Sequence, residues 1–242
     1  MKMEVQVNQV SRAGSGGQDS EDAVAHATNP ARFALADGAS TTFDPRSWAQ
    51  KLAEAFVAQP PPFRTPTMHT WASILGGSWR QALKQDDLPW YAQEKARRDG
   101  SAATLVGLEI GNVRHAPRGW RAIAVGDSIL LHIREGRPLT TFPLQHPSQF
   151  GATPPLISTD PEYNRKSLEH LCSEAGECRS NDLFLLASDA LGEWLLRRAA
   201  DQPRWLRFIQ NLEEDFETRI RSLQDAGEVE LDDATLVTIR IR

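Results

Sequence analysis

The sequence predicts an α+β fold in which helices cover both faces of a β-sandwich. Two observations lead to this prediction. Short apolar runs of strand length occur in groups, and amphipathic helical segments form separate groups of their own, an arrangement typical of layered α+β domains. The chain contains no internal repeat and no linker-like stretch, so residues 1–242 are predicted to form a single domain.

The N-terminal part is predicted to contribute three strands. Valines recur over 5–10, and short apolar runs cover 23–25 and 33–36, which is the length and pattern of strands. The glycine-rich residues 13–17 are predicted to form a loop between the first two strands. The loop lacks the Gly-Lys-Ser/Thr ending of a phosphate-binding loop, so we assign it no ligand.

Three helices are predicted after the third strand. Asp44 is the expected N-cap of the first helix and Pro45 its first residue. The second helix covers 68–84 and the third covers 89–98. Tryptophans at helical spacing are typical of a core-facing stripe, so the tryptophans of these helices are predicted to be buried. The stripe predicted for the second helix consists of Trp71, Ile74, Leu75, Trp79 and Leu83.

The middle of the chain is predicted to be a meander of antiparallel strands over 103–110, 120–125 and 129–133. Glu135-Gly136 is the expected turn after the last of them. Residues 142–182 contain several prolines and are predicted to form a short, irregular, flap-like segment with one helix near 163–172.

The C-terminal part is predicted to hold the most buried strand. The apolar run 184–187 stops at Ser188-Asp189 and is followed by a helix over 191–198. A long amphipathic helix over 203–223 and a last strand over 234–239 complete the predicted fold.

Composition and charge exclude several classes of function. The formal net charge is −5 and no run of Lys or Arg occurs, which argues against a nucleic-acid or anionic-membrane partner. No signal peptide and no membrane-spanning stretch is visible, so a cytoplasmic protein is predicted. Cys172 and Cys178 are the only cysteines and are predicted to be free thiols, because they lack the partners of a zinc site and do not make a disulfide framework.

Acidic residues stand at the ends of five predicted strands. A carboxylate at the mouth of a buried strand costs several kcal/mol of desolvation unless something compensates it. If these strand ends converge, they form a pocket of hard oxygen ligands suited to Mg²⁺ or Mn²⁺. The strand-end acids are Glu21-Asp22, Asp37, Asp127, Asp189 and Asp232-Asp233.

Six short motifs in this order resemble the metal-dependent protein phosphatases of type 2C. The resemblance covers nearly the whole chain from Glu21 onwards. It implies a four-layer α-β-β-α sandwich of two antiparallel sheets flanked by helices. The motifs are Glu21-Asp22, residues 33–38 with Asp37-Gly38, residues 103–106 with Thr104, residues 125–128 with Asp127, residues 186–189 with Asp189, and Asp232-Asp233-Ala234-Thr235.

The resemblance implies a metal role for individual residues. Asp37 resembles the carboxylate that bridges two metal ions, and the carbonyl of Gly38 resembles a further ligand. Asp189 and Asp232 match the remaining direct ligands of one metal ion. These four residues would therefore hold a binuclear centre.

The remaining acids match supporting positions. Glu21 and Asp22 match acids that hold metal-bound waters. Asp127 and Glu193, together with Asp189, match the acidic set of a third, weaker metal site, where the family usually has Asp in place of Glu193. Thr104 matches a small polar residue near the centre and is assigned no direct ligand role.

The implied activity is that of a hydrolase: phosphoserine/phosphothreonine protein phosphatase chemistry dependent on Mn²⁺ or Mg²⁺. Two such ions activate water and neutralise the phosphate. The implied partners are a phosphorylated protein substrate and a partner Ser/Thr kinase, and the chain is expected to be a monomer. The six histidines are scattered along the sequence, so none is assigned to catalysis.

One departure from the family bears on substrate binding. The family commonly carries an arginine shortly before the Glu-Asp pair, where this chain has Gly17. Arg12, Arg32 and Arg46 are the candidates to bind the substrate phosphate in its place. Two alternatives stay open: a catalytically silent phosphatase-like module that regulates a phosphoprotein or kinase, and a phosphatase for a small phosphorylated metabolite.

Overall fold

A computed structural model describes residues 2–12, 20–61, 63–83, 88–113, 116–199, 202–211 and 214–242. The chain divides into two compact units, each built from separated segments of sequence. The first unit contains Met1–Ser20, Asp127–Thr153 and Cys178–Arg242, and the second contains Glu21–Gly126 and Pro154–Glu177.

Twelve strands and seven α-helices form the described part of the chain. The strands are β1 Met3–Val10, β2 Ala23–Thr28, β3 Ala31–Ala36, β4 Ala102–Ala103, β5 Leu105–Val113, β6 Ala116–Val125, β7 Ile129–Arg134, β8 Arg137–Phe142, β9 Ile157–Ser158, β10 Cys172–Glu177, β11 Leu183–Ala187 and β12 Ala234–Ile241. The helices are α1 Pro45–Ala58, α2 Thr65–Ala82, α3 Trp90–Asp99, α4 Pro161–Ser167, α5 Asp189–Arg198, α6 Gln202–Gln210 and α7 Phe216–Asp225. Short 3₁₀ turns occur at Pro147–Gln149 and Leu168–His170.

The first unit is an antiparallel sheet in the order β1-β12-β11-β7-β8. One face of the sheet packs on α5, α6 and α7 through a core that includes Leu185, Trp194 and Ile220. The alternate residues of the central strands, such as Phe184 and Leu186, are buried as well. Burial of both faces explains why β11 is apolar at every position instead of alternating.

The second unit is an antiparallel sheet in the order β10-β6-β5-β3-β2. Helices α1 and α2 belong to its core, which includes Trp48 and Met68. Gly107 in β5 lies directly beneath the ring of Phe56, where a Cβ would have no room. The short strands β4 and β9 pair with each other as a separate two-stranded sheet.

The tight turn predicted at Glu135-Gly136 is confirmed. It joins β7 to β8, and both residues have positive φ, at 52° and 73°. Two positive φ values in a two-residue loop define the type I′ turn, whose twist matches that of the paired strands.

The single long helix predicted over 203–223 is wrong. Helix α6 ends at Gln210, and α7 begins at Phe216. Asp215 precedes α7 with a φ of 58°, a left-handed conformation that cannot continue a right-handed helix. Leu212, which falls within the predicted helix, lies outside the described residues. The apolar periodicity continued across the break because both helices face the same core.

Two residues predicted to be buried are exposed. Ile74 in α2 is 66% exposed because the buried stripe of this helix passes through Met68, Ala72, Gly76 and Trp79. Trp90 is 79% exposed at the first position of α3, where its ring contacts that of Tyr91. Trp48 and Trp79 are buried as predicted.

The predicted flap-like segment 142–182 is more regular than expected. It contains β9, α4 and β10, and β10 pairs with β6 along the edge of the second unit's sheet. The helix expected near 163–172 is present as α4 and the 3₁₀ turn after it. Both cysteines are free thiols, as predicted. Within the described ranges, no helix is long and apolar enough to cross a membrane.

Candidate active site

In the second unit, the strand-end acids of β2 and β3 lie side by side. The antiparallel register pairs Ala23 with Ala36, so Asp22 and Asp37 occupy the same end of the sheet. The backbone N–H of Gly38 donates to the carbonyl of Glu21 at 3.3 Å. The Glu-Asp pair and the Asp-Gly pair therefore form one acidic edge.

Thr104 fixes the backbone on which Asp37 is carried. Its hydroxyl accepts the N–H of Asp37 at 3.2 Å, and its own N–H donates to the Asp37 carbonyl at 2.8 Å. Gly126, at a φ of 106°, packs against Thr104, where a Cβ would lie 2.6 Å from the threonine side chain. Thr104 is thus a positioning residue beside the acidic edge.

Gly38 has no room for a side chain. A Cβ at this position would lie 2.9 Å from the Glu21 carbonyl oxygen and 2.9 Å from Pro45. Pro45 is the first residue of α1, so the start of this helix is packed against the acidic edge. The hydroxyl of Ser40 donates to the Glu21 carboxylate, while Asp22 is buried and Asp37 half-buried.

In the first unit, Asp189 stands where β11 passes directly into α5. Ser188 fixes the junction between β11 and α5 to the start of β12. Its hydroxyl accepts the Thr235 N–H at 2.9 Å, and its own N–H donates to the Thr235 carbonyl at 3.2 Å. Ala187 pairs with Leu236, so the end of β11 and the start of β12 lie at the same end of the sheet. Asp189 and the Asp232-Asp233 pair are placed at that end.

Asp127 is a buried acid of the first unit. Its side chain is 5% exposed, and one carboxylate oxygen, Oδ1, makes no hydrogen bond within the described part of the chain. Burial, and then the negative charge of Asp189, raise its pKa to about 7. A buried carboxylate that faces another carboxylate is a fitting place for a cation, so the donor set agrees with the metal chemistry implied by the sequence.

Two other acids of the first unit are paired with arginines. Glu193 lies one helical turn after Asp189 and accepts from Arg197 at 2.6 Å. Asp232 lies 3.5 Å from the guanidinium of Arg12, and both side chains are partly exposed. Arginines therefore pair with both of these acids. Asp127, by contrast, forms no ion pair with any residue that the structure describes.

The three candidate phosphate-binding arginines have different environments. The N–H of Arg12 donates to Asp233 at 2.6 Å, which fixes its backbone beside Asp232. Arg32 is bound to Glu109 at 3.0 Å and to the carbonyls of Val57 and Ala58. Arg46 is exposed in the first turn of α1. Gly17 lies outside the described residues.

Arg32 is placed away from the acidic edge of its own sheet. It pairs with Ala27 across the strands, five residues before Asp37 in β3, and a strand advances about 3.3 Å per residue. Its guanidinium binds the last turn of α1. Arg12 and Arg46 are therefore the candidates that remain next to proposed site residues.

The candidate ligands are divided between the units. Glu21, Asp22, Asp37 and Gly38 belong to the second unit, and Asp127, Asp189, Glu193 and Asp232 belong to the first. Across the described ranges, no group of three or more His, Cys, Asp or Glu side chains is arranged to hold a metal ion. Convergence of the two sets stays a prediction from the resemblance.

Ser188, Ser40 and Asp233 were not assigned these positioning roles from the sequence. Ser188 could have been found from its place between the apolar strand and Asp189, where a hydroxyl can bond a neighbouring backbone. Ser40 gives no such signal, because its contact with Glu21 spans two different strand ends. His132, which the sequence left without a catalytic role, is buried in the first unit against Asp182 and Phe184.

The chain has no match among protein-family models or among curated protein sequences. Solved structures match it over its whole length. The photosystem II phosphatase PBCP is 13% identical with a TM-score of 0.59, and the match covers 100% of this chain and 99% of that one. PppA, a regulatory component of the T6SS in Pseudomonas aeruginosa, is 18% identical with a TM-score of 0.53 and 99% of each chain covered.

A third match carries metal. The catalytic domain of the serine/threonine protein phosphatase PstP, in complex with two manganese ions, is 16% identical with a TM-score of 0.56 and 100% of each chain covered. These neighbours are PP2C-type phosphatases. Likeness at this identity shows the fold, and it confirms the predicted α+β architecture of two antiparallel sheets flanked by helices.

Proposed function

We propose that this chain, whose fold is that of the PP2C-type protein phosphatases, is a metal-dependent phosphatase acting on phosphoserine and phosphothreonine in proteins. The observation that carries the proposal is the placement of acids at strand ends in both sheets of this fold. No cysteine or histidine accompanies them in the motifs, which favours Mg²⁺ or Mn²⁺ over softer metals.

The proposed centre is the two-ion site that the sequence resemblance implies. The carboxylates of Asp37, Asp189 and Asp232 and the carbonyl of Gly38 are the residues that would hold the ions. When bound, the ions activate a water molecule and neutralise the phosphoryl oxygens. Glu21 and Asp22 would orient the bound waters through their carboxylates.

A third, weaker ion is proposed at Asp127, Asp189 and Glu193. The buried Oδ1 atom of Asp127 supports this proposal because it makes no hydrogen bond within the described chain. The pairing of Glu193 with Arg197 weakens this site, since an ion would have to compete with the guanidinium.

Arg12 is the proposed phosphate-binding residue. Its backbone is fixed by Asp233, while its side chain is 49% exposed and its guanidinium is held beside Asp232 by one ion pair. An exposed ion pair at 3.5 Å is weak, so the guanidinium can turn to a phosphate, which it can bind by two parallel hydrogen bonds. Arg46 is the second candidate, whereas Arg32 is engaged within its own unit.

The proposed partners are a phosphorylated protein and a Ser/Thr kinase that forms it, and the chain is proposed to act as a monomer. A cytoplasmic location is proposed because Cys172 is an exposed free thiol, which is typical of reducing compartments.

The proposal is tested by hydrolysis of p-nitrophenyl phosphate with Mn²⁺, with Mg²⁺ and with chelator. We expect turnover that requires the metal and is lost in Asp37→Asn. Asp225→Asn, at an exposed aspartate at the end of α7, is the matched control and should keep full activity. Turnover that survives both chelator and Asp37→Asn would refute the metal mechanism. Metal binding without any turnover would favour the regulatory module instead.

A further inference from the structure

A groove opens between α5, α6 and α7 in the first unit. Its volume is about 350 Å³, which lies at the lower end of the range of small-molecule sites. Its lining combines aromatic and aliphatic side chains with two arginines, and none of the described lining residues is acidic. The lining residues are Trp194, Arg207, Phe208, Asn211, Arg219, Ser222 and Leu223.

The floor of the groove is aromatic and recessed. Trp194 is 1% exposed and Phe208 is 6% exposed. Their ring centroids are 4.7 Å apart at an angle of 58°. The indole N–H of Trp194 is directed to Glu228 at 3.3 Å, so the ring is held in place. Trp194 closes the floor of the groove, and the accessible apolar lining comes from the edge of Phe208 and from Leu223, which is only partly buried.

The two arginines provide positive charge above this floor. Arg207 is exposed and forms no ion pair or hydrogen bond with any residue that the structure describes. The Nε of Arg219 donates to the Glu214 carbonyl at 3.0 Å, which directs its guanidinium without neutralising it. Two carboxylates of the same unit are paired with other arginines, Glu217 with Arg221 and Glu228 with Arg198.

We propose that this groove binds a small organic anion with an aromatic body and a carboxylate head. The accessible edge of Phe208 and the side chain of Leu223 would pack on the body, and the guanidinium groups of Arg207 and Arg219 would bind the carboxylate. A stable protein partner would need about 1,000 Å² or more of complementary surface, whereas the apolar part of this site is recessed and small. The site does not involve the proposed metal ligands.

The test is isothermal titration calorimetry of the full chain with naphthalene-2-carboxylate in the presence of EDTA. The chelator removes any metal that could bind the carboxylate elsewhere. We expect a Kd below about 1 mM, given the size of the probe. Arg207→Gln and Arg219→Gln should each weaken binding by about tenfold, because each removes a charged hydrogen-bond donor. The neutral isostere naphthalene-2-methanol should bind at least tenfold more weakly.

Three controls locate the binding. Arg165→Gln removes an exposed arginine of the second unit and should leave the Kd unchanged. Ser222→Trp should abolish binding by filling the groove while both arginines remain. Asp37→Asn should bind the probe normally, so the groove can be confirmed even if the phosphatase proposal fails. Circular dichroism of each variant checks that it is folded.

Absence of binding to the folded wild-type chain would overturn the proposal. So would binding that persists unchanged in folded Arg207→Gln, Arg219→Gln and Ser222→Trp. Tighter binding of the acidic peptide acetyl-Glu-Phe-Glu-amide than of the naphthalene probe would show that the groove receives a protein segment instead, which also contradicts the small-molecule assignment.

Discussion

The two units support their strand-end acids in different ways. In the second unit, two hydroxyl groups take part in positioning the acids: the Thr104 hydroxyl accepts the backbone N–H of Asp37, and the Ser40 hydroxyl donates to Glu21. In the first unit, charges dominate, since Arg12 pairs with Asp232 and Arg197 pairs with Glu193. Asp127 is left buried beside the charge of Asp189.

The difference indicates how each half would respond to a metal ion. In the second unit, the hydroxyl groups of Thr104 and Ser40 hold the Asp37 backbone and the Glu21 carboxylate, and these contacts are in place before any ion binds. In the first unit, burial and the charge of Asp189 raise the pKa of Asp127 to about 7, so this carboxyl keeps its proton until the pH approaches 7. We therefore expect the stability of the metal-free chain to depend on pH chiefly through the first unit.

The largest expected effect is a loss of stability as pH rises in the absence of metal. The pKa of Asp127 is raised to about 7 in the folded chain, so the folded state holds this proton more tightly than the unfolded state. Stability is full below about pH 4, where both states are protonated, and falls as pH rises through about 7. The total change is about 4 kcal/mol, from roughly three pKa units.

Urea unfolding in EDTA between pH 4 and 8 measures this change. Asp127→Asn should remove most of the slope in this pH range, and millimolar Mn²⁺ should restore the stability of the natural chain at pH 8. Asp225→Asn, at an exposed aspartate of the same unit, should keep the slope. If the free energy of unfolding of Asp127→Asn kept the same dependence on pH, another group would be responsible for it. The proposed difference between the two units would then be wrong.

The next largest effect is expected at Gly38, in the acidic edge of the second unit. Gly38→Ala places a Cβ 2.9 Å from the Glu21 carbonyl oxygen and from Pro45, so the backbone must shift. We expect a loss of about 1–3 kcal/mol in the free energy of unfolding, as for other overpacked sites. Binding of Mn²⁺, measured by calorimetry, should also weaken, because the shifted carbonyl belongs to the proposed ligand set.

Gly77→Ala is the matched control for this substitution. Gly77 is in the interior of α2, and no described atom lies within 4 Å of the position of its added Cβ. Alanine there should stabilise the chain by about 0.5–1 kcal/mol through helix propensity and leave Mn²⁺ binding unchanged. Equal effects of the two substitutions would show that Gly38 is not specially constrained.

The sequence predicted the fold class well because strand periodicity and strand-end acids are local signals. Asp37 and Asp189 each follow an apolar run that proved to be a buried strand. Helix continuity was harder, since the apolar stripe of α6 and α7 shows no sign of the left-handed Asp215 between them. Burial of Ile74 was predicted from amphipathicity, but the contact face of α2 is narrower than its apolar face.

The site was predictable in its acids but not in their supports. Acid identity and strand position are visible along the chain, whereas the bond from Asp37 to Thr104 joins residues 67 apart in sequence. The pairing of Arg12 with Asp232 joins the start of the chain to the segment just before its last strand. Such long-range contacts depend on the tertiary fold, which is why three arginines remained equal candidates in the sequence.

The smallest expected effect on stability separates these arginines. Arg12→Gln removes a partly exposed ion pair at 3.5 Å and should change the free energy of unfolding by less than about 1 kcal/mol. If Arg12 binds the substrate phosphate, KM for a phosphopeptide should rise about tenfold, because a charge-assisted hydrogen bond is lost. Arg32→Gln should do the opposite, destabilising the chain through Glu109 and the α1 carbonyls with KM unchanged. A raised KM in Arg46→Gln, with Arg12→Gln unaffected, would move phosphate binding from the first unit to the second.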